Sequence, residues 1–494
     1  MERRLIDISM TLLSDMETHP NTPHESATLS PHFTAEEAQR WTAGQWEGAP
    51  PVQGFAGVCT HSLEVRRGAL FVALKGERFD AHQFVPQALD AGAAGALVLG
   101  APENNASARN AGAPGTVTDR PGLLCVADTR KALMDLAAGY RLAVGAKIIG
   151  VTGSVGKTTV KEMAAALLAT LGRTTKTQGN LNNDVGLPLS LLSMPRDAQF
   201  GVFEAGISHP GEMMPLACAM RPDVAIVTNV GPVHLEHFGE VGRIAEEKAG
   251  LLRVLAPDGI AVLDRDAEWF GYLAGQTRAR VVSISATGDA RADIVAHEVD
   301  EAEGAFVVRD ASGGEARIRL GLPGRHHVAN ALLAIAAARH LGVGWGRMCD
   351  ALRGVVRPPM RWEVSEREGV AIINDAYNAN PVSMAKALET FAKMPCRGRR
   401  IAALGDMLEL GTEEEAAHCG IGALAATCGL DLVVLVGSRA TRWIAAGAAG
   451  RMQKGHVHCF ATPEEAGRFL RTFLRPGDAL LLKGSRGMAM EKVF

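Results

Sequence analysis

Residues 148–162 read IIGVTGSVGKTTVKE: an apolar run, a glycine-bearing turn and the start of a helical pattern. No other segment restricts the fold as tightly. A loop of this kind between a buried strand and a helix wraps phosphate oxygens. Its backbone N–H groups and the positive helix end bind the anion, a lysine neutralises β/γ-phosphate charge, and a hydroxyl ligates Mg²⁺. The longest form of this motif would place glycine at position 151, where the chain has Val151; Gly153 instead begins the shorter T-G-S-x-G-K-T-T form. Gly153, Ser154, Gly156, Lys157, Thr158 and Thr159 are therefore nucleotide-contact candidates, with a helix predicted from Thr159 to Leu171. A chance G-K-T in a turn is the plain alternative, and the strand-turn-helix setting argues against it.

Further strand-like runs follow at FGVFEAG (200–206), VAIVTNV (224–230), IAVLD (260–264) and VVSIS (281–285), separated by helical sequence such as 243–255. Strands alternating with helices predict a mostly parallel sheet covered on both faces. The alternating segment 293–320 predicts a small appended antiparallel ribbon. Upstream, 69–74 and 84–99 read as strand, helix, strand, with a surface loop over 101–122, a strand at 123–128 and a helix from Thr129. Downstream, 370–375, 399–406, 432–437 and 479–485 form another βα series, a Rossmann-like unit. At 494 residues the chain has room for about three domains. The expected boundaries are 1–30, a mobile polar extension; 31–146; 147–357; and 358–494.

With 51 basic and 54 acidic residues the net charge is −3, so no single-sign field points to nucleic acid. No apolar run approaches the roughly 18 residues of a membrane span, and the first twenty residues lack a cleavage-site pattern. Eight cysteines without a CxxC pair predict reduced, buried thiols in a cytoplasmic protein. His456, His458 and Cys459 could bind metal on paper, but their alternation reads better as a strand.

A phosphate cradle does not by itself choose among motor, switch and transferase. Glu204, at the C-terminal edge of one predicted strand, can reach a loop-bound metal, and His234 lies just beyond another. Each has a bland reading, helix cap or loop histidine. Following successive strands of one nucleotide-binding unit, they are expected to point into one cleft.

Taken in order, several motifs resemble the Mur ligase family, the ATP-dependent amide-bond formers of peptidoglycan precursor synthesis. They are TGSVGKTT (152–159), QGNLNNDVGLPLSLL (178–192), EAGISHPGE (204–212), TNVGPVHLEHFG (228–239), EEKAGLL (246–252), LPGRHHVANALLA (322–334), MRWE (360–363), NDAYNANPVSM (374–384), LGDMLELG (404–411) and KGSRGMAMEKV (483–493). The resemblance runs from about residue 50 to the C-terminus. NDAYNANP followed by GDMLELG is similar to the branch that adds D-alanyl-D-alanine, and THSLEVRRGALFVALKGERFDAHQF (60–84) to that branch's UDP-binding domain. His61 stands where the family usually has Asp, and His327 where G-R-H-N is common.

The resemblance implies an α/β fold of three domains: an N-terminal UDP-substrate-binding domain, a central P-loop ATPase domain and a C-terminal Rossmann-like domain. It implies that UDP-MurNAc-tripeptide and D-Ala-D-Ala are joined at the expense of ATP through an acyl phosphate. It further implies that Lys157 and Thr158 hold ATP phosphates and one Mg²⁺ with Glu204, and that His234 serves a second Mg²⁺. Lys248 would be a carbamylated metal-side lysine, against the plain reading of a surface lysine beside Glu246 and Glu247. Asn330, Arg361 and Asp375 would contact nucleotide, and Lys157, Lys248, His234 and Arg361 form the catalytic group. Ser62, Asn182, Asn183, Asn378, Asn380, Lys483, Ser485 and Arg486 are implied on the substrate side. The alternatives are a relative adding a diamino acid or glutamate, or a P-loop switch, which lacks an N-K-x-D element here.

Overall fold

The computed structural model describes residues 32–76, 79–100, 121–355, 358–453 and 455–494. The expected extension 1–30 and most of the expected loop 101–122 lie outside the described residues. Three sheets organise the chain. The first has the strand order Gln45–Glu47, Leu123–Val126, Gly95–Leu99, Leu70–Val72, Val58–Cys59, and only its first pair is antiparallel. The helix Thr129–Val144 leaves this sheet with Asp128 as its N-cap, the carboxylate accepting from the amides of Arg130 and Lys131.

The second sheet has nine strands. Ile260–Asp264, Val224–Val227, Lys147–Thr152, Phe200–Glu204 and Thr174–Lys176 lie side by side and parallel. The short strand Thr174–Lys176 escapes the sequence pattern because only three residues pair. The predicted ribbon is not a separate appendage. Ile294–Asp300 pairs in parallel with Arg280–Ser285, and Ala305–Asp310 and Glu315–Arg319 add antiparallel strands to the same sheet.

The third sheet has the order Glu363–Arg367, Val370–Asn374, Ala479–Lys483, Arg400–Gly405, Leu432–Val436, Val457–Phe460, parallel except for its first pair. Val457–Phe460 confirms the strand reading of the His456–Cys459 segment, and the His458 ring stacks on Phe469. The outermost strand Glu363–Arg367 is exposed at every residue.

Side-chain alternation along the central strands divides the hydrophobic core. Ile148, Phe203, Ala225 and Leu263 face the first sheet and pack in one cluster with Phe33, Leu70 and Tyr140. Their neighbours Ile149, Val202, Ile226 and Val262 face the other way, in a cluster that continues through Trp362 into Ile373 and Ala402 of the third sheet. The central sheet is thus packed against a different neighbour on each face. Of the eight cysteines, expected to be buried thiols, only Cys125 is buried, whereas Cys218 and Cys459 are exposed; none forms a disulfide among the described residues. An apolar helix stretch does not specify which side of the helix a single thiol occupies.

Candidate active site

The turn after Lys147–Thr152 is forced by two glycines. Gly153 has φ +146°, and a Cβ there would lie 1.9 Å from the Thr228 hydroxyl; Gly156 has φ +89°, and a Cβ would lie 2.6 Å from Asn330 Oδ1. Both positions exclude side chains by conformation and by space. The helix begins at Lys157, two residues earlier than the pattern suggested, and ends at Leu168. Lys157 and Thr158 therefore stand in its first turn rather than in the loop. The loop is pinned from the neighbouring strand end. Val155 N donates to Asn229 Oδ1 (3.0 Å), Thr228 Oγ1 and Asn229 Nδ2 donate to Val155 O (2.5 and 2.9 Å), and Ser154 Oγ donates to Gly231 O (3.0 Å). Thr228 and Asn229 were not among the expected site residues, although they fall within the predicted run VAIVTNV (224–230).

Glu204, at the end of Phe200–Glu204, is 2% exposed. It accepts from Thr158 Oγ1 (3.0 Å) and from Asn182 Nδ2 (2.8 Å), so two expected residues from two other segments converge on this carboxylate. Hydroxyl and carboxylate oxygens suit Mg²⁺, which takes few protein ligands and completes its shell with phosphate oxygens and water. No group of three or more His, Cys, Asp or Glu side chains that could hold a metal by itself occurs among the described residues.

Lys157 Nζ folds back to donate to Gly153 O (2.8 Å). Burial lowers its pKa, opposed by Glu204 and reinforced by Arg361. Lys248 lies in the helix Val241–Arg253 and is 2% exposed, which excludes the surface-lysine reading. Its amine has no hydrogen bond or ion pair among the described residues. Burial holds it well below the ordinary lysine range, and repulsion by nearby Lys157 pushes the same way.

The third sheet closes the other side. A cavity of about 480 Å³ is lined from the second sheet by residues including Lys157, Thr158, Glu204, His234 and Asn330, and from the third by Arg361, Asp375, Asn378, Asn380 and Lys483. Arg361 lies over the Tyr377 ring at 4.1 Å. Asp375 accepts from Trp362 N (3.1 Å) and from Lys483 Nζ (2.6 Å), and Lys483, 2% exposed, also donates to Asn378 O (3.2 Å). His234 Nδ1 contacts Glu409 Oε2 across the cleft, and the His234 partner holds the Glu409 carboxyl below its usual range. Glu409 was absent from the sequence expectations, as were Asp264 and Lys386. Burial pushes Asp264, at a strand end, up to about 6, while burial lowers Lys386, an effect the Asp264 carboxylate opposes.

Several expected residues hold other positions. Asn183 lines the cavity, but its Oδ1 accepts from Gly186 N (2.8 Å) at a helix start, and Asn380 caps Pro381–Lys393 in a capping box with Ser383. Ser485 is 3% exposed; its Oγ accepts from Leu408 N (2.9 Å) and donates to Ala379 O (3.3 Å), so it ties loops together instead of bordering the cavity. Arg486 pairs with Glu491 (2.7 Å) and lines a separate cavity beneath Pro358–Arg361. Ser62 lies in the first sheet's unit, where its Oγ donates to Gln87 Oε1 (3.1 Å), and is not among the cavity's lining residues. Beside it, His61 Nδ1 accepts from Leu63 N (3.3 Å), the capping bond an Asp would make. His327 is buried at 8%, its ring 4.1 Å from that of His326.

A P-loop at the carboxyl ends of parallel strands, faced by cationic and carboxylate groups from a second sheet, defines a nucleotide-dependent enzyme built across two α/β units. Residues 151–338 match the Mur ligase middle domain, residues 360–486 the Mur ligase glutamate ligase domain, and residues 55–141 the Mur ligase family catalytic domain. The chain is 36% identical over 441 residues to the UDP-N-acetylmuramoyl-tripeptide–D-alanyl-D-alanine ligase of Escherichia coli K12, covering 88% of this chain and 92% of that one. Crystal structure I of MurF from Acinetobacter baumannii superposes with TM-score 0.82 at 31% identity, covering 93% and 97% of the two chains. MurF ligase from Thermotoga maritima in complex with ADP gives TM-score 0.73 at 29% identity, with coverage of 88% and 96%. The chain belongs to the Mur ligase family.

Proposed function

We propose that the chain joins D-alanyl-D-alanine to UDP-N-acetylmuramoyl-tripeptide, with ATP converted to ADP and phosphate, in the cytoplasmic stage of peptidoglycan precursor synthesis. The supporting observation is the cavity itself: the Thr158–Glu204–Asn182 group on one sheet faces Arg361, Asp375 and Lys483 on another, in a chain related to such ligases over most of its length.

The reaction needs a carboxylate and a triphosphate, both anionic, brought within bonding distance. The P-loop amides and Lys157 hold the phosphates, and Arg361 approaches from the opposite wall. The terminal carboxylate oxygen of the tripeptide attacks the γ-phosphorus and ADP leaves, giving an acyl phosphate. The dipeptide amine then attacks the acyl carbon, loses a proton, and phosphate departs as the amide forms. Thr158 and Glu204 would hold one Mg²⁺ and His234 would serve a second; when bound, these ions neutralise charge developing on the transferring phosphoryl oxygens. Asn182 and Asn183 flank the acceptor side, while Asn330 and Asp375 belong to the nucleotide side. Asn378, Asn380 and Lys483 face the incoming dipeptide, and Ser62 contacts the uridine nucleotide.

Lys248 fits a carbamate. Burial favours the neutral amine, whose lone pair can attack CO₂; the new N–C bond releases a proton and turns a potential cation into an anion near Lys157. An ammonium there would be repelled by metal.

Phosphate release, measured separately with glutamate, diaminopimelate, lysine and D-Ala-D-Ala beside the matching UDP-MurNAc acceptor, tests the reading. Turnover is expected only with D-Ala-D-Ala and the tripeptide acceptor. Turnover with a single amino acid would reassign the chain within the family, and ATP hydrolysis indifferent to every acceptor would favour a switch.

A further inference from the structure

We propose that Glu409 is a positioning residue for His234, so that a ligand-ready histidine exists only when the second and third sheets are docked. The inference rests on the reading of His234 as a cation-side residue.

His234 and Glu409 come from different sheets, 175 residues apart, and meet side chain to side chain through Nδ1 and Oε2. Both have left-handed backbones, φ +53° and φ +64°. Residues other than glycine adopt that conformation at an energetic cost, and strain of this kind gathers where geometry serves function. The surrounding loops are fitted to each other as well. Glu236 N donates to Glu409 O (3.3 Å), and at Gly411, φ +57°, a Cβ would lie 3.1 Å from Glu236 Cα. The approach therefore excludes a side chain where it is tightest.

The consequence for the imidazole is chemical. A carboxylate that accepts from Nδ1–H fixes the ring proton at that nitrogen and leaves the Nε2 lone pair as the ligating one. His234 lines the cavity and Glu409 does not, so the carboxylate stands behind the ring. Two carboxylates of the same unit are already engaged. Glu212 accepts from Ser208 N and His209 N (2.6 and 3.0 Å), and Glu247 from Gly211 N and Met213 N (2.9 and 2.8 Å). One unit thus carries the ligand and the other fixes its tautomer.

The test is Mn²⁺ binding, followed by electron paramagnetic resonance, to the full chain with a non-hydrolysable ATP analogue and UDP-MurNAc-tripeptide. Wild type is expected to bind two classes of ion. Glu409→Ala should weaken one class about 10–100-fold, Glu409→Gln less, and both should leave the other class intact. His234→Ala should lose the same class, and adding Glu409→Ala to it should change nothing further. Wild-type affinities in both Glu409 variants, with one class still lost in His234→Ala, would overturn the positioning role and leave the His234 assignment standing. Two intact classes in His234→Ala would remove both. An equal loss at both classes in Glu409→Ala would make Glu409 a docking contact only and overturn the proposal.

Discussion

Lys248→Met should yield a protein that is more stable than wild type and inactive. Lys248 is 2% exposed and has no hydrogen bond or ion pair among the described residues, in a helix whose buried face includes Ile244, Ala245, Ala249 and Leu252. Met replaces its stem at nearly the same length and removes the amine. The pH dependence follows from linkage. The folded state favours the neutral amine and holds its pKa well below 10.5, whereas the unfolded chain keeps the proton up to about that value. Between the lowered folded value and 10.5 the unfolded state binds more protons, so wild-type stability rises with pH, by up to about 1.4 kcal/mol per unit. Below that window the penalty is constant and full. Met carries no such penalty, so the variant should gain about 1.4 kcal/mol for each unit of lowering. For a unit of this size each kcal/mol moves the midpoint by about 2–4 °C. Thermal melts of the ligand-free proteins in CO₂-free buffers between about pH 6 and 10 read both quantities. Coinciding midpoints with parallel pH slopes would mean that the amine is solvated or paired in solution, and the case for its neutrality would fail. Retained ligation in the stable variant would sink the carbamate assignment independently.

Three further outcomes are expected. Lys157→Ala should keep its melting behaviour and lose about 2–4 kcal/mol of transition-state stabilisation, read as kcat at saturating ATP, because the lysine sits at the cavity wall; near-normal turnover would remove it from the phosphate site. Asp375→Ala leaves the Lys483 ammonium buried without its carboxylate and should cost about 3 kcal/mol in denaturant unfolding of the third sheet's unit, whereas an unchanged midpoint would show that water replaces the pair. Small-angle scattering should give a smaller radius of gyration with ATP analogue and acceptor bound, since the cavity is divided between two sheets; an identical profile would mean that the cleft is already shut.

The order of strands and helices was legible because each βα unit carries its own apolar run and its own punctuation. IAVLD matches Ile260–Asp264 residue for residue. The glycine turn, Lys157, Thr158 and Glu204 were legible for the same reason, since each lies at or within a few residues of a strand end. What stayed hidden is what depends on the approach of distant segments. His234 was expected in the cleft, but its partner Glu409, like Asp264 and Lys386, has an unremarkable local pattern and acquires meaning only when two sheets face each other. Burial was similarly opaque: EEKAGLL gives Lys248 two glutamate neighbours, as a surface helix would, and the fold nevertheless turns it inward. Ser485 resembles a site residue in a motif because it holds the loops that carry the site, a role the motif does not distinguish from contact.

The outer strand Glu363–Arg367 ends the third sheet with every side chain in solvent, among them Glu363, Glu366 and Arg367. Its unpaired backbone edge is a template on which a second copy could add a strand, and a parallel in-register approach would set Glu363, Glu366 and Arg367 each against its own like charge. The edge therefore disfavours parallel, in-register stacking of copies at high protein concentration. Replacing Glu366 by valine would join Val364 on one face into an apolar strip and expose that hazard without touching the cavity.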